Sequence, residues 1–528
     1  MSGLNRQTNI EIIDVDETSN DSIIITDEST KKKKKNNSEN KRKGKINGLP
    51  AEKKSSGSES SSSEGNASEV DDKSEDENDV NVGDSLVEGR KLFVWLISPV
   101  IPEDFFSNTW EKRPLHIKRG TEEYYKPVIS TPIIDKMLRN NNILFTKNLD
   151  ITSYTDGKRE THNPEGRALP SVVWDYYNNG CSVRLLNPQT FIPKLALLTA
   201  TLQDYFGCFV GANAYLTPPD SQGFAPHYDD IEAFILQVEG KKHWRLYAPK
   251  TESEVLPRFS SGNFNQDEIG KPIMEVTLEP GDLLYFPRGT IHQGNTVSGH
   301  HSLHITLSCY QRNTWGDLLE KIVSASLQVA LEEDVEFRRG LPRNYLSYMG
   351  LVHSDEKSSE RTAFIEKVKN LTEKLFSYAP IDAAVDQMGK QFMHDALPPV
   401  LTPEEKACSA FGDGYIMKEN GKLSSGVEFT EDTRVKLLRG HILRLVSEED
   451  GMKLYHCVHN SLEYHGNEPQ YLELSEELAP AVEFLVRSYP EFIQISQLPL
   501  EDNAQKITLV GDLWDRGLLL TEGPLKKS

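Results

Sequence analysis

A chain of 528 residues exceeds what one hydrophobic core holds and implies two to four domains. A hydrophobic content of 37% is low for an entirely folded chain, so part of it is expected to stay disordered. The net charge of −21 argues against direct nucleic-acid binding through phosphates and suits a basic protein partner, although solubility alone explains it equally well. The five cysteines (Cys181, Cys208, Cys309, Cys408 and Cys457) are odd in number and form no CxxC pair, which disfavours a disulfide framework or a structural zinc site. No apolar run reaches membrane-spanning length, and IEIIDVDE and SIIITDE are too short and acid-flanked for a signal peptide.

Residues 1–88 are rich in Ser, Asp, Glu and Lys with almost no aromatics. Such a segment cannot bury enough apolar surface to offset its ordering entropy, and it is expected to be disordered. Its two basic clusters, Lys31 to Lys35 and Lys41-Arg42-Lys43-Gly44-Lys45, read as a nuclear or nucleolar address, with a solvated charge run as the plain alternative. Folded sequence is expected from near Gly89, at KLFVWLIS. Residues 89–210 mix short helices and strands, and Phe105 to Gly120 contains a strand entering a sheet.

From about 208 to 312 the apolar period is two. In GCFVGANAYLTP, Asn213, Tyr215 and Thr217 share a face. AFILQVEGKKHWRLYAP reads as a hairpin turning at Glu239-Gly240-Lys241, with Lys242, Trp244 and Leu246 on one face of its second strand. MEVTLEPGDLLYFP is strand–turn–strand, and HSLHITLSCYQ sets Ser302, His304, Thr306 and Ser308 opposite Leu303, Ile305 and Leu307. Short strands at this spacing predict a mainly β core, a jelly-roll or cupin barrel, over residues 89–314.

After Tyr310 the period becomes helical. Leu319, Ile322, Val323, Leu327, Ala330 and Leu331 form one stripe, with the small Ser326 on it. Phe364, Ile365, Val368, Leu371, Leu375 and Phe376 form another. The region 315–398 therefore reads as a helical subdomain or dimer interface, or as helices packed on their own barrel. Residues 399–528 follow a Pro-rich break. They hold strand-like VKLLRGHILRLV, a helix SEELAPAVEFLVRSY with Ser475 as a plausible N-cap, and strand-like KITLVGDLWDRGLLL, a combination that fits a small winged-helix-like domain without basic charge.

Two segments carry chemistry. In APHYDD, His227 and Asp229 fall on the same side of an extended chain, so both can reach one ion. Tyr228, Asp230 and Glu232 leave other registers open, and HxD alone is a weak signal. In GDLLYFPRGTIHQGN, Gly281, Pro287, Gly289 and His292 form G-x(5)-P-x-G-x(2)-H. The glycines allow a tight turn at each end of a strand, and His292 then projects into the barrel mouth. Two imidazoles and one carboxylate on one face of an ion leave positions open, as in non-haem Fe(II) oxygenases. Lys242, beside Trp244 and Leu246, would need an anionic partner if it points inward; Lys241 or Arg245 inward is the other reading.

These residues resemble the JmjC-type ribosomal-protein histidyl hydroxylases, a group of JmjC/cupin oxygenases with a nucleolar branch of bifunctional histidyl hydroxylases and lysine-specific demethylases. The resemblance runs over about residues 89–528 and is strongest in WEKRPLHIKR, GANAYLTPP, APHYDDIEAFILQVEGKKHWRLY and GDLLYFPRGTIHQ. It implies a double-stranded β-helix (JmjC) core, then a helical dimerisation region, then a C-terminal winged-helix domain. Carried onto this chain, it implies Fe(II) held by His227, Asp229 and His292. It further implies 2-oxoglutarate bound by Lys242, with Asn213, Tyr215, His304 and Ser308 as pocket residues, and O2 as oxidant. It implies hydroxylation of a histidine in a ribosomal protein by a homodimeric enzyme, or removal of N-methyl groups from histone tails at the same iron. A non-catalytic chromatin scaffold would be expected to show a damaged triad, and this triad is intact; a Zn or Mn cupin isomerase sits poorly with Lys242 and the large accessory domains.

Overall fold

The alternating pattern between Gly211 and Cys309 builds two facing sheets in the computed structural model, which describes residues 83–412, 417–423 and 428–524. The N-terminal basic clusters lie outside the described residues. Helix α1 (Ser85–Ile97) begins ahead of the expected Gly89, because the Asp84 side chain accepts from Leu86 N–H and caps the first turn. Helix α2 (Pro102–Asn108), strand β1 (Leu115–Ile117), helix α3 (Thr131–Asn140), strands β2 (Leu149–Thr155) and β3 (Lys158–Thr161), helix α4 (Pro170–Asn178), strand β4 (Ser182–Leu186) and helix α5 (Pro193–Phe206) follow. The core strands are β5 (Gly211–Thr217), β6 (Glu232–Gly240), β7 (Lys242–Tyr247), β8 (Met274–Leu278), β9 (Leu283–Phe286), β10 (Ile291–Thr296) and β11 (Ser302–Cys309).

The large antiparallel sheet runs β1-β9-β6-β11-β5-β4-β2-β3, and the small one runs β10-β7-β8. AFILQVEGKKHWRLYAP is therefore not the expected hairpin. Strand β6 pairs with β11 and β9, whereas β7 pairs with β10 and β8. The chain crosses between sheets at Gly240, whose φ is +64° and where a Cβ would lie 1.7 Å from His301 O. Only glycine fits that crossing. The chain crosses back between β8 and β9, and this repeated exchange makes the double-stranded β-helix. One face of the large sheet, with Phe234, Leu236, Leu303, Ile305 and Leu307, packs with α1 and α5. Its inner face meets the small sheet through Ala233, Ile235, Trp244, Leu246, Leu284 and Phe286.

Helices α6 (Trp315–Glu333), α7 (Val335–Arg338), α8 (Ser359–Leu375) and α9 (Ile381–Asp395) come next. A capping box between Thr314 and Asp317 starts α6. The expected apolar stripe of α6 divides: Ile322, Ser326 and Ala330 are buried, while Leu319, Val323 and Leu327 are exposed. Ser326 fits the buried line because its hydroxyl donates to Ile322 O at 2.6 Å.

The last part contains α10 (Pro403–Ala407), β12 (Arg434–Leu437), β13 (Leu443–Glu448), β14 (Gly451–His456), β15 (Tyr471–Leu474), α11 (Ala479–Ser488), β16 (Ile493–Gln494), α12 (Asn503–Asp515) and β17 (Leu519–Thr521). Sheets β16-β12-β17 and β13-β14-β15 share a core with α11 and α12. VKLLRGHILRLV divides between these two sheets. KITLVGDLWDRGLLL is mostly helix, correcting the expected strand. Asp502 caps α12, and Lys506, Leu509, Val510, Leu513 and Trp514 bury one face at helical spacing. Ser475 precedes a 3-10 turn before α11, and its side chain makes no cap bond there.

Candidate metal centre

His227 and His292 stand opposite each other in a short antiparallel bridge. His292 N donates to His227 O at 2.9 Å, and His227 N donates to His292 O at 3.3 Å. Gly289 N donates to Asp229 O at 2.9 Å, so the turn before His292 is also bound to the segment carrying the carboxylate. These backbone bonds bring the three side chains together. Their ligand atoms all lie within 4.8 Å of one another, and all three residues are buried. His292 Nε2 is 3.6 Å and His227 Nε2 is 3.9 Å from Asp229 Oδ2.

The second ring nitrogens fix the chemistry of the first. His227 Nδ1 lies 2.8 Å from Ala225 O, and His292 Nδ1 lies 2.8 Å from Thr290 O. A carbonyl only accepts, so each Nδ1 carries hydrogen. Burial, with His227, Lys242 and His304 nearby, holds His292 well below the usual imidazole range. A neutral Nδ1–H imidazole turns the lone pair of Nε2 toward Asp229. Two imidazole nitrogens and a carboxylate converging in a buried site make a donor set that fits a divalent cation, with the backbone carbonyls orienting the rings. The other acids near this register are engaged elsewhere. Asp230 accepts from Ser260 and Gln311, and Glu232 accepts from Tyr285 and Arg288.

Lys242 is 1% exposed, whereas Lys241 is half-exposed against Glu279 and Arg245 bonds Asn295. Thr296 stands opposite Lys242 and Leu246 stands opposite His292. Lys242 thus lies four residues, about 13 Å of backbone, from the position facing the metal ligand. Its Nζ sits 4.4 Å from the Trp244 ring centroid and 6.0 Å from that of Tyr215. Tyr215 stacks on His304 with centroids 4.8 Å apart. Asn213 and Ser308 share this inner face and are half-buried, Asn213 opposite Thr306 and Ser308 opposite Gly211. Among the described residues, the buried Trp244 Nε1 and Thr306 Oγ1 find no hydrogen-bond partner. Leaving a buried polar group unsatisfied costs about 1–3 kcal/mol, so a buried lysine against the Trp244 ring, in a barrel whose inner face also carries the Thr306 hydroxyl, fits an oxygen-rich anion.

Sequence reasoning missed Gly294 and Thr296, and it set Thr306 on the face of His304 and Ser308 without giving it a role. Gly294 faces Trp244 across the β7–β10 pair, and a Cβ there would lie 2.4 Å from the Trp244 ring. Its signal was a glycine two residues after the ligand histidine, at an inward position. Also missed was the buried Glu232–Arg288 pair, which no local pattern announces.

A JmjC domain model matches residues 184–318, and the model of the ribosomal oxygenase 1 C-terminal winged helix domain matches residues 397–525. A Gallus gallus protein named ribosomal oxygenase 1 is 52% identical over 442 residues, covering 84% of this chain and 74% of that protein. The chain belongs to the ribosomal oxygenase 1 family. A Culex quinquefasciatus member of this family, named bifunctional lysine-specific demethylase and histidyl-hydroxylase NO66, is 53% identical over 441 residues, covering 83% of this chain and 68% of that protein. The solved structure of the Escherichia coli ribosomal oxygenase YcfD in complex with cobalt and 2-oxoglutarate aligns at 16% identity over 80% of this chain and 99% of that one, with a TM-score of 0.43. As a member of the ribosomal oxygenase 1 family with a JmjC domain, the chain is an Fe(II)- and 2-oxoglutarate-dependent dioxygenase, and the donor set of His227, Asp229 and His292 fits that chemistry.

Proposed function

We propose that this enzyme uses O2 to hydroxylate a histidine of a large-subunit ribosomal protein. The observation that carries the reading is the convergence of His227 Nε2, Asp229 Oδ2 and His292 Nε2 at one end of a barrel that also buries Lys242. The names of the Gallus and Culex relatives support the substrate class. His227, Asp229 and His292 would hold the iron on one face. Lys242 would hold the distal carboxylate of 2-oxoglutarate, with Tyr215, His304, Asn213 and Ser308 shaping the cavity. When bound, iron and 2-oxoglutarate supply the activation of O2 toward an unactivated C–H bond. The chain's own part is to keep the His292 imidazole neutral, to fix both ring planes through Ala225 O and Thr290 O, and to exclude water with Ile235, Trp244, Leu246 and Phe286.

Removal of methyl groups from histone lysines is the second reading, favoured by the Culex relative's name. Exposed apolar residues on α6 and α8 support a homodimer, and the clusters at Lys31–Lys35 and Lys41–Lys45 support a nuclear or nucleolar location. The test is mass spectrometry after incubation with Fe(II), 2-oxoglutarate and O2. It compares histidine-containing fragments of large-subunit ribosomal proteins with methylated histone-tail peptides. One added oxygen on a histidine, absent with His292→Ala, is the expected result. Loss of methyl groups with histidine unchanged would move the assignment to demethylation. No succinate from the protein with any substrate would leave a binding scaffold.

A further inference from the structure

Strand pairing between β6 and β9 ends at Ala233 opposite Phe286. The next residue on the β9 side is Pro287, which has no N–H to continue the ladder. Beyond it a side chain takes over. Glu232 is fully buried, and its Oε1 accepts from Arg288 Nη1 at 2.7 Å and from Arg288 N at 3.4 Å. Its Oε2 accepts from Tyr285 OH at 2.5 Å. Arg288 Nη1 also donates to Glu111 Oε1 at 2.6 Å, and Glu111 N donates to Tyr285 OH at 2.9 Å. Glu111 holds a left-handed φ of 56°, a conformation that a non-glycine residue keeps only when its surroundings fix it.

This cluster bridges the same two segments as the metal triad. Glu232 lies three residues after Asp229, and Arg288 lies four before His292. Between Arg288 and His292, Gly289 N holds Asp229 O, Thr290 Oγ1 closes the turn on Pro287 O, and Thr290 O receives the His292 ring. A shift of Arg288 therefore moves the carbonyl that orients one ligand and the amide that anchors another.

We propose that Glu232 and Arg288 are positioning residues for the metal centre: their buried pair sets the gap between the Asp229 and His292 segments, so divalent-cation affinity depends on two side chains that do not touch the ion. This rests on the metal-binding reading of the triad. Partners outside the ligand set that orient ligands characteristically change metal affinity by about 10–100-fold when removed.

The experiment is Co2+ binding to the full chain under anaerobic conditions, followed by calorimetry and by the visible spectrum of the bound ion. The parent should bind one ion, and His292→Ala should not. Glu232→Gln and Arg288→Met should each weaken binding by about 10–100-fold and alter the spectrum. The double variant should lose little more than either single one, because the two side chains act as a unit. Tyr285→Phe, which keeps the pair but frees Glu232 Oε2, should give a smaller loss of the same sign and carries the test if the charge variants fail to fold. Folded variants that bind Co2+ with parental affinity and spectrum, while losing only thermal stability, would overturn the positioning role alone. A parent that binds no Co2+ would overturn the triad reading with it.

Discussion

Strand β11 and helix α6 are neighbours in the chain and treat their apolar residues in opposite ways. Leu303, Ile305 and Leu307 are at most 1% exposed, whereas Leu319, Val323 and Leu327 are 42–45% exposed. Both elements carry a regular apolar period. The strand's face is covered by α1 and α5, while the helix, beyond its capping Asp317, buries only the line of Ile322, Ser326 and Ala330. Periodicity thus reveals that a face is apolar. What covers that face is a separate property, fixed by the rest of the chain or by a second molecule.

The comparison can be broken at several points. The largest effect is expected at the polar end of the barrel, where His292→Ala should abolish turnover and metal binding yet keep the far-ultraviolet circular dichroism of the parent. Within the covered strand, Leu307→Ala should cost about 2–5 kcal/mol in denaturant unfolding. Gly294→Ala, which drives a methyl group into the Trp244 ring, should cost about 1–3 kcal/mol.

A pH series sharpens the role of α5 as the cover. Burial pushes the Asp204 carboxyl up to about 6 from 3.8, against the pull of Arg439. Between those values the folded chain keeps a proton that the unfolded chain has released, so this group's contribution to stability falls as pH rises from about 4 to 6. Asp204→Asn should remove that slope: its melting temperature relative to the parent should rise across this window. The smallest effect is expected on the exposed helix face. Leu327→Ala should cost less than about 0.5 kcal/mol in dilute protein. If a second copy covers that face, the parent's melting temperature should climb with concentration and the variant's should not.

Much of the site was legible in the sequence for local reasons. His227 and Asp229 are two residues apart, so strand geometry alone places them together. The turn from Pro287 to Gly289 similarly announces His292. Whether Lys242 points inward was open, because the answer depends on where β7 starts, and the Gly240 crossing sets that start. The cupin class implies strand exchange between sheets, but the place of the crossing was not legible either. A two-sheet crossing and a hairpin share the same glycine-centred turn, and only the pairing partners differ. Helix α12 resembles a strand in sequence because its run of β-branched and apolar residues masks the Asp502 cap and the 506–509–513 spacing. The Glu232–Arg288 pair joins residues 56 positions apart and leaves no local trace.

The bridge between His227 and His292 is made of main-chain atoms. Main-chain bonds do not depend on the imidazoles, so a substitution that removes one ligand leaves the two segments facing each other as before. Loss of chemistry and loss of shape are thereby uncoupled in this barrel. A lineage that drifted away from oxygen chemistry by a single codon change would inherit the same barrel frame, free to be selected for binding alone.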